Sequence, residues 1–588
     1  MIYILKYYVR NSFTKICFHN ADVIVTGGSY NKKIKASDCV LEILKKTSTA
    51  IEEEKLLAHL NMKFKTDLDT GKSLLSKLLY LGFLETNIIY SLKDIEYKSN
   101  DSAKIKSLNI PTCLRPNELF KCIKSYSDNF QKNSHYIDYY VFDDTPLNKS
   151  IENYEVLKEV RNGLSNDIFY INLEEKKKFL DIITKESGVE KKLIEFGFMP
   201  NRLFKERNLF SAGANRNFIM AYTIGDCFLM ADDDSYCLAF ENNVNIDIYF
   251  SSGRGNINKQ YIQSKDLKSV TFSKDLDILG NHEKYIGKSL KEILYNKKIG
   301  EITFDMVTQG NYIFPNNYTF YENSNVHFTF NTIFGWPDQT ADEALYDYLQ
   351  NRNMDYLLGS ANKTVFECAP GDTIYSNPFL LTTTLTGIDN RNSICPFMPI
   401  YRNEDVHYGY FLNYLDPYII SSCINISLMH DRKRSSNQLE AFYKNFYGDI
   451  VLSYILYTLL NRLKVQMPKE YLDINIRKLI FSSSIKDICG KNQYDFTNNL
   501  LELKFDLNKL WYEKGTLVGS LHKSIQDNEY YLEPSECFET FDKFIISGEW
   551  EVMRRVLILY SELLLEWENI MDACYRLKIK GKLPKKII

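Results

Sequence analysis

Residues 224–234 read IGDCFLMADDD, and this stretch decides the expected fold. The apolar residues 227–230 are followed closely by three consecutive aspartates, Asp232, Asp233 and Asp234. A short apolar run of this kind is typical of a strand buried inside a parallel sheet. Ligands bind beyond the carboxyl ends of such strands, and adjacent carboxylates repel one another unless a cation lies between them. The stretch therefore predicts a divalent-cation site at a sheet edge, although an Asp-Asp-Asp run alone is also common in solvated loops.

The sequence on both sides of this stretch alternates strand and helix patterns, which is typical of an α/β domain. The predicted strands lie at 108–110, 137–142, 167–171, 227–230, 246–250 and 326–330. The predicted helices lie at 116–126, 173–183 and 212–222. We therefore predict an α/β domain over 108–432, preceded by a polar linker at 93–107. The mostly helical pattern after Arg434 predicts a C-terminal helical region over 433–588.

Two further acidic motifs stand where an α/β sheet needs them for ligand binding. Asp143 and Asp144 follow a strand pattern, where a carboxylate can accept hydrogen bonds from a nucleoside. Glu404 and Asp405 follow a proline-bounded loop at 396–399, where a rigidly held carboxylate suits a general base. The alternative for the first pair is an Asp-rich turn. The alternative for the second pair is a helix N-terminus whose acidic residues favour the helix dipole.

Length, charge and cysteine usage limit the class of protein. A chain of 588 residues is expected to form about two to four domains. Its 72 basic and 75 acidic residues give no general attraction for nucleic acid or anionic membranes. None of the twelve cysteines forms a C-x-x-C pair, and no apolar run reaches the roughly 18 residues of a spanning helix. Lys6 and Arg10 interrupt the first hydrophobic stretch, so we expect no signal peptide and a cytoplasmic location.

Residues 1–92 contain a separate unit, in which strand patterns precede three helix patterns and one more strand follows. The strand patterns cover 2–9 and 21–25, and the helix patterns cover 38–45, the stretch after a capping box at 49–52, and the leucine-rich stretch around 74–79. This order predicts a small winged helix-turn-helix. A helix that reads DNA needs basic residues, and the third helix offers only Lys72 and Lys77, so we expect no nucleic-acid partner.

The pattern AS-x-x-VL-x-IL at 36–44, followed by the leucine-rich third helix, resembles the PqqD-like RiPP recognition element. That domain binds the leader peptide in many enzymes that modify ribosomally made peptides. The resemblance covers about one-seventh of the chain and implies that residues 1–92 bind a precursor peptide, with Leu75 and Leu79 lining side-chain pockets. The alternative is a generic winged helix with a packing or DNA-binding role.

Five motifs in the α/β region together resemble family 2 glycosyltransferases of the GT-A fold, a Rossmann-like fold. The matching segments are IPTCLRP at 110–116, VFDDT at 141–145, GANRN at 213–217, the stretch at 224–234 and Glu404-Asp405. In the first segment Leu114 stands where the family often has asparagine. The resemblance covers about 108–432 and implies an insertion near 173–208. The stretch at 235–392 has no recognised match, and we expect it to determine the acceptor.

The resemblance implies a role for each motif residue in an inverting, metal-dependent sugar transfer. It implies Mg²⁺ or Mn²⁺ bound by Asp232, Asp234 and His430, although His430 could also be a core or solvent histidine. It implies that Asp405 is the general base, with Glu404 beside it. The residues implied to bind the nucleotide-sugar donor, expected to be a UDP-sugar, are Thr112, Arg115, Asp143, Asp144, Arg216 and Asp233.

These expectations lead to one favoured function and two alternatives. The favoured function is glycosylation of a RiPP precursor peptide whose leader is held by residues 1–92. The second is transfer of a sugar to a surface polysaccharide, with an unrelated N-terminal domain. The third is a non-catalytic binding protein on a GT-A scaffold, which the joint presence of Asp143, Asp232 and Asp405 disfavours. The sequence does not indicate an oligomeric state.

Overall fold

The structure of the protein is a computed structural model that describes most of the chain. The described residues are 3–10, 15–19, 22–27, 32–47, 51–80, 83–91, 103–164, 166–204, 210–241, 248–251, 258–262, 273, 275–299, 318–319, 324–335, 364–369, 371–376, 384–416, 418–431, 448–449, 451–453, 455–460, 462–463, 473–491, 494–500 and 549–588.

Twenty strands, β1 to β20, follow one another along the chain in the described residues. They are β1 (Tyr3–Arg10), β2 (Lys15–His19), β3 (Asp22–Gly27), β4 (Lys32–Lys35), β5 (Ile51–Glu52), β6 (Leu84–Ser91), β7 (Ile105–Thr112), β8 (Asp138–Asp143), β9 (Ile168–Ile171), β10 (Cys227–Ala231), β11 (Ser235–Glu241), β12 (Ile248–Ser251), β13 (Asn258–Ile262), β14 (Tyr318–Thr319), β15 (Asn325–Gly335), β16 (Thr364–Cys368), β17 (Asp372–Tyr375), β18 (Leu385–Asp389), β19 (Ile419–His430) and β20 (Lys586–Ile587).

Thirteen α-helices in the same part of the chain are numbered in the same way, and further helical residues lie at 448–449, 451–453, 455–460, 462–463 and 494–500. They are α1 (Asp38–Lys46), α2 (Glu53–Phe64), α3 (Leu68–Tyr80), α4 (Pro116–Lys132), α5 (Ile151–Arg161), α6 (Leu173–Ser187), α7 (Lys191–Phe198), α8 (Ala212–Thr223), α9 (Ile278–Glu283), α10 (Leu290–Asn296), α11 (Glu404–Leu415), α12 (Ile474–Cys489) and α13 (Glu549–Ile579). A 3-10 turn at Pro200–Arg202 follows α7.

A mixed α/β sheet forms the centre of the structure, and four neighbouring strands in it are parallel. Their spatial order is β9-β8-β7-β10, so chain order reverses between β7 and β10. The first four strands of doubly wound nucleotide-binding sheets have this same order, and their ligands bind where it reverses. The predicted α/β class is therefore confirmed, and the Asp232–Asp234 run follows the strand at the reversal point.

The remaining strands extend this sheet on both sides. β18 runs antiparallel to β10, and beyond it β15, β19, β17 and β12 continue the sheet. β15 and β19 are parallel to each other, while β11 pairs antiparallel with β19. At the opposite edge, β20 pairs antiparallel with β9. The β11–β19 pairing places Ser235 opposite His430, which brings that histidine to the end of β10.

Both faces of the sheet are covered by apolar residues, which explains why apolar and polar residues do not alternate along the parallel strands. All five residues of β10 are buried, as are all four of β9. One core lies between the sheet and helices α6, α7, α8 and α13, and a second lies on the α4 side. β7 begins at Ile105, so the last three residues of the predicted 93–107 linker belong to a strand.

The N-terminal unit has the three predicted helices, α1 to α3, with strands before and after them. The side chain of Ser37 caps α1 by accepting a hydrogen bond from the backbone of Val40. The helix predicted from the capping box at 49–52 is present as α2, but it begins only at Glu53, because Ile51 and Glu52 form β5 and pair with β1. Leu75 is fully buried in the core of this unit and cannot line a surface pocket, whereas Leu79 is partly buried.

Two small sheets complete the N-terminal unit. One has the order β2-β3-β4, and the other has the order β14-β6-β1-β5. The strand β14 comes from the middle of the chain and pairs parallel with Asn87 and Ile88 of β6. Part of that sheet edge is therefore covered by the same chain.

The C-terminal region includes the long helix α13, which packs against α6, α7, α8 and α12. Lys578, at the end of this helix, pairs with Asp226, and Lys586, beyond the helix, pairs with Glu174, so two of the basic C-terminal residues contact the α/β region. No helix among the described residues is both long enough and apolar enough to cross a bilayer.

Candidate functional site

The candidate site lies at the carboxyl ends of β7, β8 and β10. Thr112 ends β7, Asp143 ends β8, and Asp232 directly follows β10. These strands are parallel neighbours, so their ends meet at one edge of the sheet. The sequence predicted this meeting from three motifs that are 31 to 120 residues apart, and the structure brings them together.

Two groups on the β7 side hold the middle of the acidic run. The Thr112 hydroxyl donates to Asp233 Oδ2 at 2.8 Å. Arg115 Nη1 donates to Asp233 Oδ1 and Asp234 Oδ2, each at 2.8 Å. Burial opposes the charged guanidinium, but these two carboxylates raise the pKa of Arg115 above its ordinary value. Burial also raises the pKa of Asp233, which is 5 % exposed. Thr112 and Arg115 therefore fix the orientation of the run.

Asp232, Asp234 and His430 form a cluster that could hold a metal ion. One ligand atom from each residue lies within 4.8 Å of the others, and His430 Nε2 is 3.2 Å from Asp234 Oδ1. Ligands about 2.1 Å from a shared ion are roughly 3–4.2 Å apart, which this spacing accommodates. Two carboxylates and one imidazole suit Mn²⁺, and leave space for water and phosphate oxygens.

The charge balance around the cluster also favours a cation. Asp232, Asp233, Asp234 and Glu404 meet two arginines, Arg115 and Arg216, in direct ion pairs. The ion pairs therefore set four carboxylates against two guanidinium groups and the imidazole of His430, which is an excess of acidic groups. Most of these carboxylates are buried, and repulsion between them is weakly screened there. A bound divalent cation would compensate this excess.

Arg216 connects the metal cluster to the third acidic motif. It lies on α8, is 5 % exposed, and its Nη2 donates to Asp232 Oδ1 at 3.3 Å. Its Nη1 contacts Glu404 Oε1 in an ion pair. Glu404 is itself buried, whereas the following residue, Asp405, is partly exposed at the start of α11. Glu404 is therefore committed to a structural ion pair, and Asp405 is the better placed of the two to meet a substrate.

The GANRN segment at 213–217 holds this arrangement by close backbone contact. A Cβ atom at Gly213 would lie 1.8 Å from the Met398 carbonyl oxygen, so only glycine fits there. Asn217 exchanges two hydrogen bonds with the backbone of Phe397, at 2.8 and 3.0 Å. Ala214 N–H donates to the Pro399 carbonyl at 3.2 Å. The segment therefore fixes the proline-bounded loop that leads to Glu404.

The two aspartates of the VFDDT motif have different surroundings. Asp143 is fully buried, and its oxygens accept bonds from Thr145 N–H, Asn153 Nδ2 and Tyr170 OH at 2.8, 3.0 and 2.5 Å. The Asp144 side chain is 34 % exposed. Nucleoside binding by the pair stays a prediction, and only Asp144 has a carboxylate open to a ligand.

Lys176 was not predicted, although it contacts this motif. Its Nζ donates to Asp144 Oδ1 at 2.6 Å and to Asn215 Oδ1 at 2.7 Å, and its side chain is fully buried. The sequence shows it only as part of a Lys176-Lys177-Lys178 run, which is typical of a solvated helix face. Lys178 is indeed exposed. One feature of the sequence could have indicated this role: Lys176 lies one helical turn after Asn172, the residue that caps α6.

Leu114 and His407 lie beside two of these motifs and have structural surroundings of their own. Leu114, which replaces the asparagine of the resembled motif, has a left-handed backbone with φ of 57°, a conformation that favours asparagine or glycine over leucine. Its N–H donates to Thr145 Oγ1 at 2.8 Å, so the two loops are joined there. His407, close to Asp405 in sequence, is buried, and burial lowers its pKa to about 3. It contacts Ser453 Oγ at 2.8 Å and has a structural position.

Neither a family model nor a curated protein sequence matches this chain. The function is therefore inferred from the arrangement of the residues described above.

Proposed function

We propose that this protein is an inverting, metal-dependent glycosyltransferase of the GT-A type, and that its acceptor is a ribosomally made precursor peptide. The observation that carries the proposal is the cluster of Asp232, Asp234 and His430 at the point where strand order reverses. The arginines Arg115 and Arg216 border this cluster. A nucleoside diphosphate needs a cation, flanking positive groups and a carboxylate for the nucleoside, and this edge offers a cluster that could hold the cation, two arginines and Asp144.

The reaction is a single displacement at the anomeric carbon. An acceptor oxygen bonds to that carbon, the bond from the carbon to the diphosphate oxygen breaks, and the configuration inverts. Asp405 accepts the proton that the acceptor oxygen loses. Asp144 binds the nucleoside, and Arg115 and Arg216 hold the metal-site carboxylates in place. Mg²⁺ or Mn²⁺ bound by Asp232, Asp234 and His430 would offset the charge on the departing diphosphate. Alignment and charge stabilisation supply most of the rate.

The proposal is tested by thermal melting of the intact protein with nucleoside diphosphates and Mn²⁺. We expect UDP with Mn²⁺ to raise the melting temperature more than either alone, because Asp232, Asp234 and His430 would hold the cation and its charge would favour binding of the diphosphate. Hydrolysis of a panel of nucleotide sugars in the same buffer then identifies the sugar. A protein that shows no shift with any nucleoside diphosphate, with or without metal, is not a nucleotide-sugar enzyme. Nucleotide binding without hydrolysis or transfer would favour the non-catalytic alternative.

The N-terminal unit supports the peptide acceptor through its shape and its charge. Its three helices pack on short strands, which offer backbone groups to an added peptide strand, and α3 carries only Lys72 and Lys77 as basic residues. β14 already covers part of the β6 edge, so the peptide would add to another outer strand of these two small sheets. Holding the leader raises the effective concentration of the attached acceptor segment.

Removing residues 1–92 is expected to weaken recruitment of the precursor peptide and to leave hydrolysis of the sugar donor nearly unchanged. Asp144, Asp234 and Asp405 all lie outside this segment, so hydrolysis of the donor should stay within about twofold of the parent rate. Transfer to a full-length precursor peptide, measured below saturation, should fall by roughly 10²-fold, the lower end of the gain from tethering. Equal transfer with and without the segment would contradict peptide recruitment. Salt-sensitive binding of duplex DNA by the intact chain would instead indicate a regulatory role.

A further inference from the structure

The loop that leads to Glu404 and Asp405 is bonded to the C-terminal helical region at several points. Two bonds come from α13, where Tyr560 OH donates to the Pro396 carbonyl at 2.9 Å and Trp567 Nε1 donates to Ser393 Oγ at 3.0 Å. Both side chains are fully buried. These contacts fix the beginning of the loop and leave its last residues, 400–403, to be held by other groups.

Those last residues have a backbone that needs support. Tyr401 and Asn403 both have left-handed conformations, with φ of 73° and 63°. Residues with side chains rarely adopt this region, and they stay there only when their surroundings determine the backbone. Asn403 directly precedes α11, so its conformation sets the direction in which the first residues of that helix, Glu404 and Asp405, leave the loop.

On one side the Phe210 carbonyl accepts the Tyr401 N–H at 3.0 Å. On the other side the supporting groups are Asp449 and Ser453, which lie one helical turn apart. Asp449 Oδ1 accepts the backbone N–H of Arg402, between the two left-handed residues, at 2.8 Å. Ser453 Oγ donates to the Asp449 carbonyl at 2.9 Å and lies 2.8 Å from His407 Nε2. Because the serine proton is used on the carbonyl, the imidazole is the donor in that second contact. The pair therefore holds the chain on both sides of Glu404 and Asp405.

We propose that Asp449 is the positioning residue of the general-base loop, and that through it the C-terminal helical region completes the catalytic site. The expected effect on kcat rests on the proposed glycosyltransferase function, whereas the role of Asp449 in holding the loop does not. The backbone N–H of Arg402 donates to a carboxylate that comes from a segment 47 residues further along the chain. The base is then placed by an element outside the sheet that holds the metal cluster.

Asp449 holds the loop through the hydrogen bond that it accepts from the Arg402 N–H, and not through its negative charge. Asp449 is 3 % exposed, and no described residue forms a hydrogen bond with its Oδ2. Burial raises its pKa to about 6, so a neutral side chain costs little at this position. Asparagine keeps an acceptor oxygen at the same place, whereas alanine removes it. This difference separates loss of the bond from loss of the carboxylate.

The experiment compares Asp449→Ala and Asp449→Asn with the control Asp473→Ala. Asp473 Oδ1 also accepts a backbone N–H, from Asn475 at 2.7 Å, but it caps α12 away from the loop. Two quantities are measured on the intact chain: hydrogen exchange at the Arg402 amide, and kcat and KM for sugar transfer. Ser453→Ala is included as a second variant, in case Asp449→Ala does not fold.

We expect Asp449→Ala to remove protection of the Arg402 amide and to lower kcat by about 10- to 100-fold, the effect of a misplacement near 1 Å, with KM for the donor unchanged. Asp449→Asn should stay within about threefold of the parent in kcat, and Asp473→Ala should change neither quantity. Ser453→Ala should lower kcat in the same direction. Full amide protection in Asp449→Ala, or a parent kcat in a folded Asp449→Ala or Ser453→Ala variant, overturns the inference. If the parent protein transfers no sugar, the proposed function fails, and the exchange measurement alone decides the positioning role.

Discussion

Asp234→Asn and Asp232→Asn should each abolish the additional stabilisation that Mn²⁺ gives with a nucleoside diphosphate. Each change replaces a carboxylate oxygen of the metal cluster by an amide, which is a weaker ligand for a hard cation. Changes in groups that only support metal ligands already cost about 10- to 100-fold, so loss of a ligand should weaken metal-dependent binding by at least roughly 10²-fold. Sugar transfer should fall with it. The measurement is thermal melting with UDP over a Mn²⁺ titration, followed by transfer assays.

The fold should survive both substitutions. In Asp234→Asn, Arg115 keeps its ion pair with Asp233, so this partly exposed guanidinium still has a charged partner. The matched control is Asp389→Asn, which breaks the ion pair with Arg391 at the opposite edge of the sheet, beside the amino end of β10. That control should lose some stability and keep the full Mn²⁺ response. An unchanged Mn²⁺ response in both cluster variants would show that the metal binds elsewhere.

Asp405→Asn should lower transfer by about 10²- to 10⁴-fold, the usual contribution of a positioned general base. Donor binding should stay near the parent value, because Asp405 has no role in the metal cluster. The effect is large because the asparagine amide cannot accept the proton that the attacking acceptor oxygen loses. The measurement is kcat for transfer at saturating donor, together with the UDP and Mn²⁺ melting shift.

Glu404→Gln is the matched comparison, because the two residues are adjacent and their surroundings differ. Glu404 is buried against Arg216, so its loss breaks the buried ion pair that joins α11 to the guanidinium on α8. Breaking a buried pair in this way typically costs about 3–5 kcal/mol, and the melting temperature should fall. Asp405→Asn should leave the melting temperature nearly unchanged. Transfer at the parent rate in Asp405→Asn would mean that the base lies elsewhere in the site.

The strands and helices around the site could be predicted because their signals are local. The apolar run before Asp232 is long enough for a buried strand and too short for a helix, and the structure places β10 there. The edge position of Asp143 and Asp232 followed from parallel pairing, which needs no knowledge of side-chain contacts. Even the approach of His430 was expected from the resemblance, and the pairing of β11 with β19 explains how it arises.

The partners of each charged side chain could not be predicted, because they depend on contacts between distant segments. Arg216 pairs with Glu404, 188 residues later, and nothing local distinguishes Glu404 from Asp405. Lys176 looks like its exposed neighbours, yet it is covered by α8 and the end of β8. The capping box at 49–52 is a valid local signal for a helix start, but Ile51 and Glu52 pair with β1 instead, and the helix starts after them. Tertiary contacts decide such cases.

The packing of α13 on α6, α7 and α8 affects the order of events during protein synthesis. About 325 residues separate the end of α8 from the start of α13. At a translation rate of about 5–20 residues per second, α6 to α8 are synthesised roughly 16–65 s before the helix that covers their apolar faces. During that interval a nascent chain exposes the surface that later becomes one core of the sheet. Chaperone capture of stalled chains that stop before residue 549 should therefore be much stronger than capture of released protein.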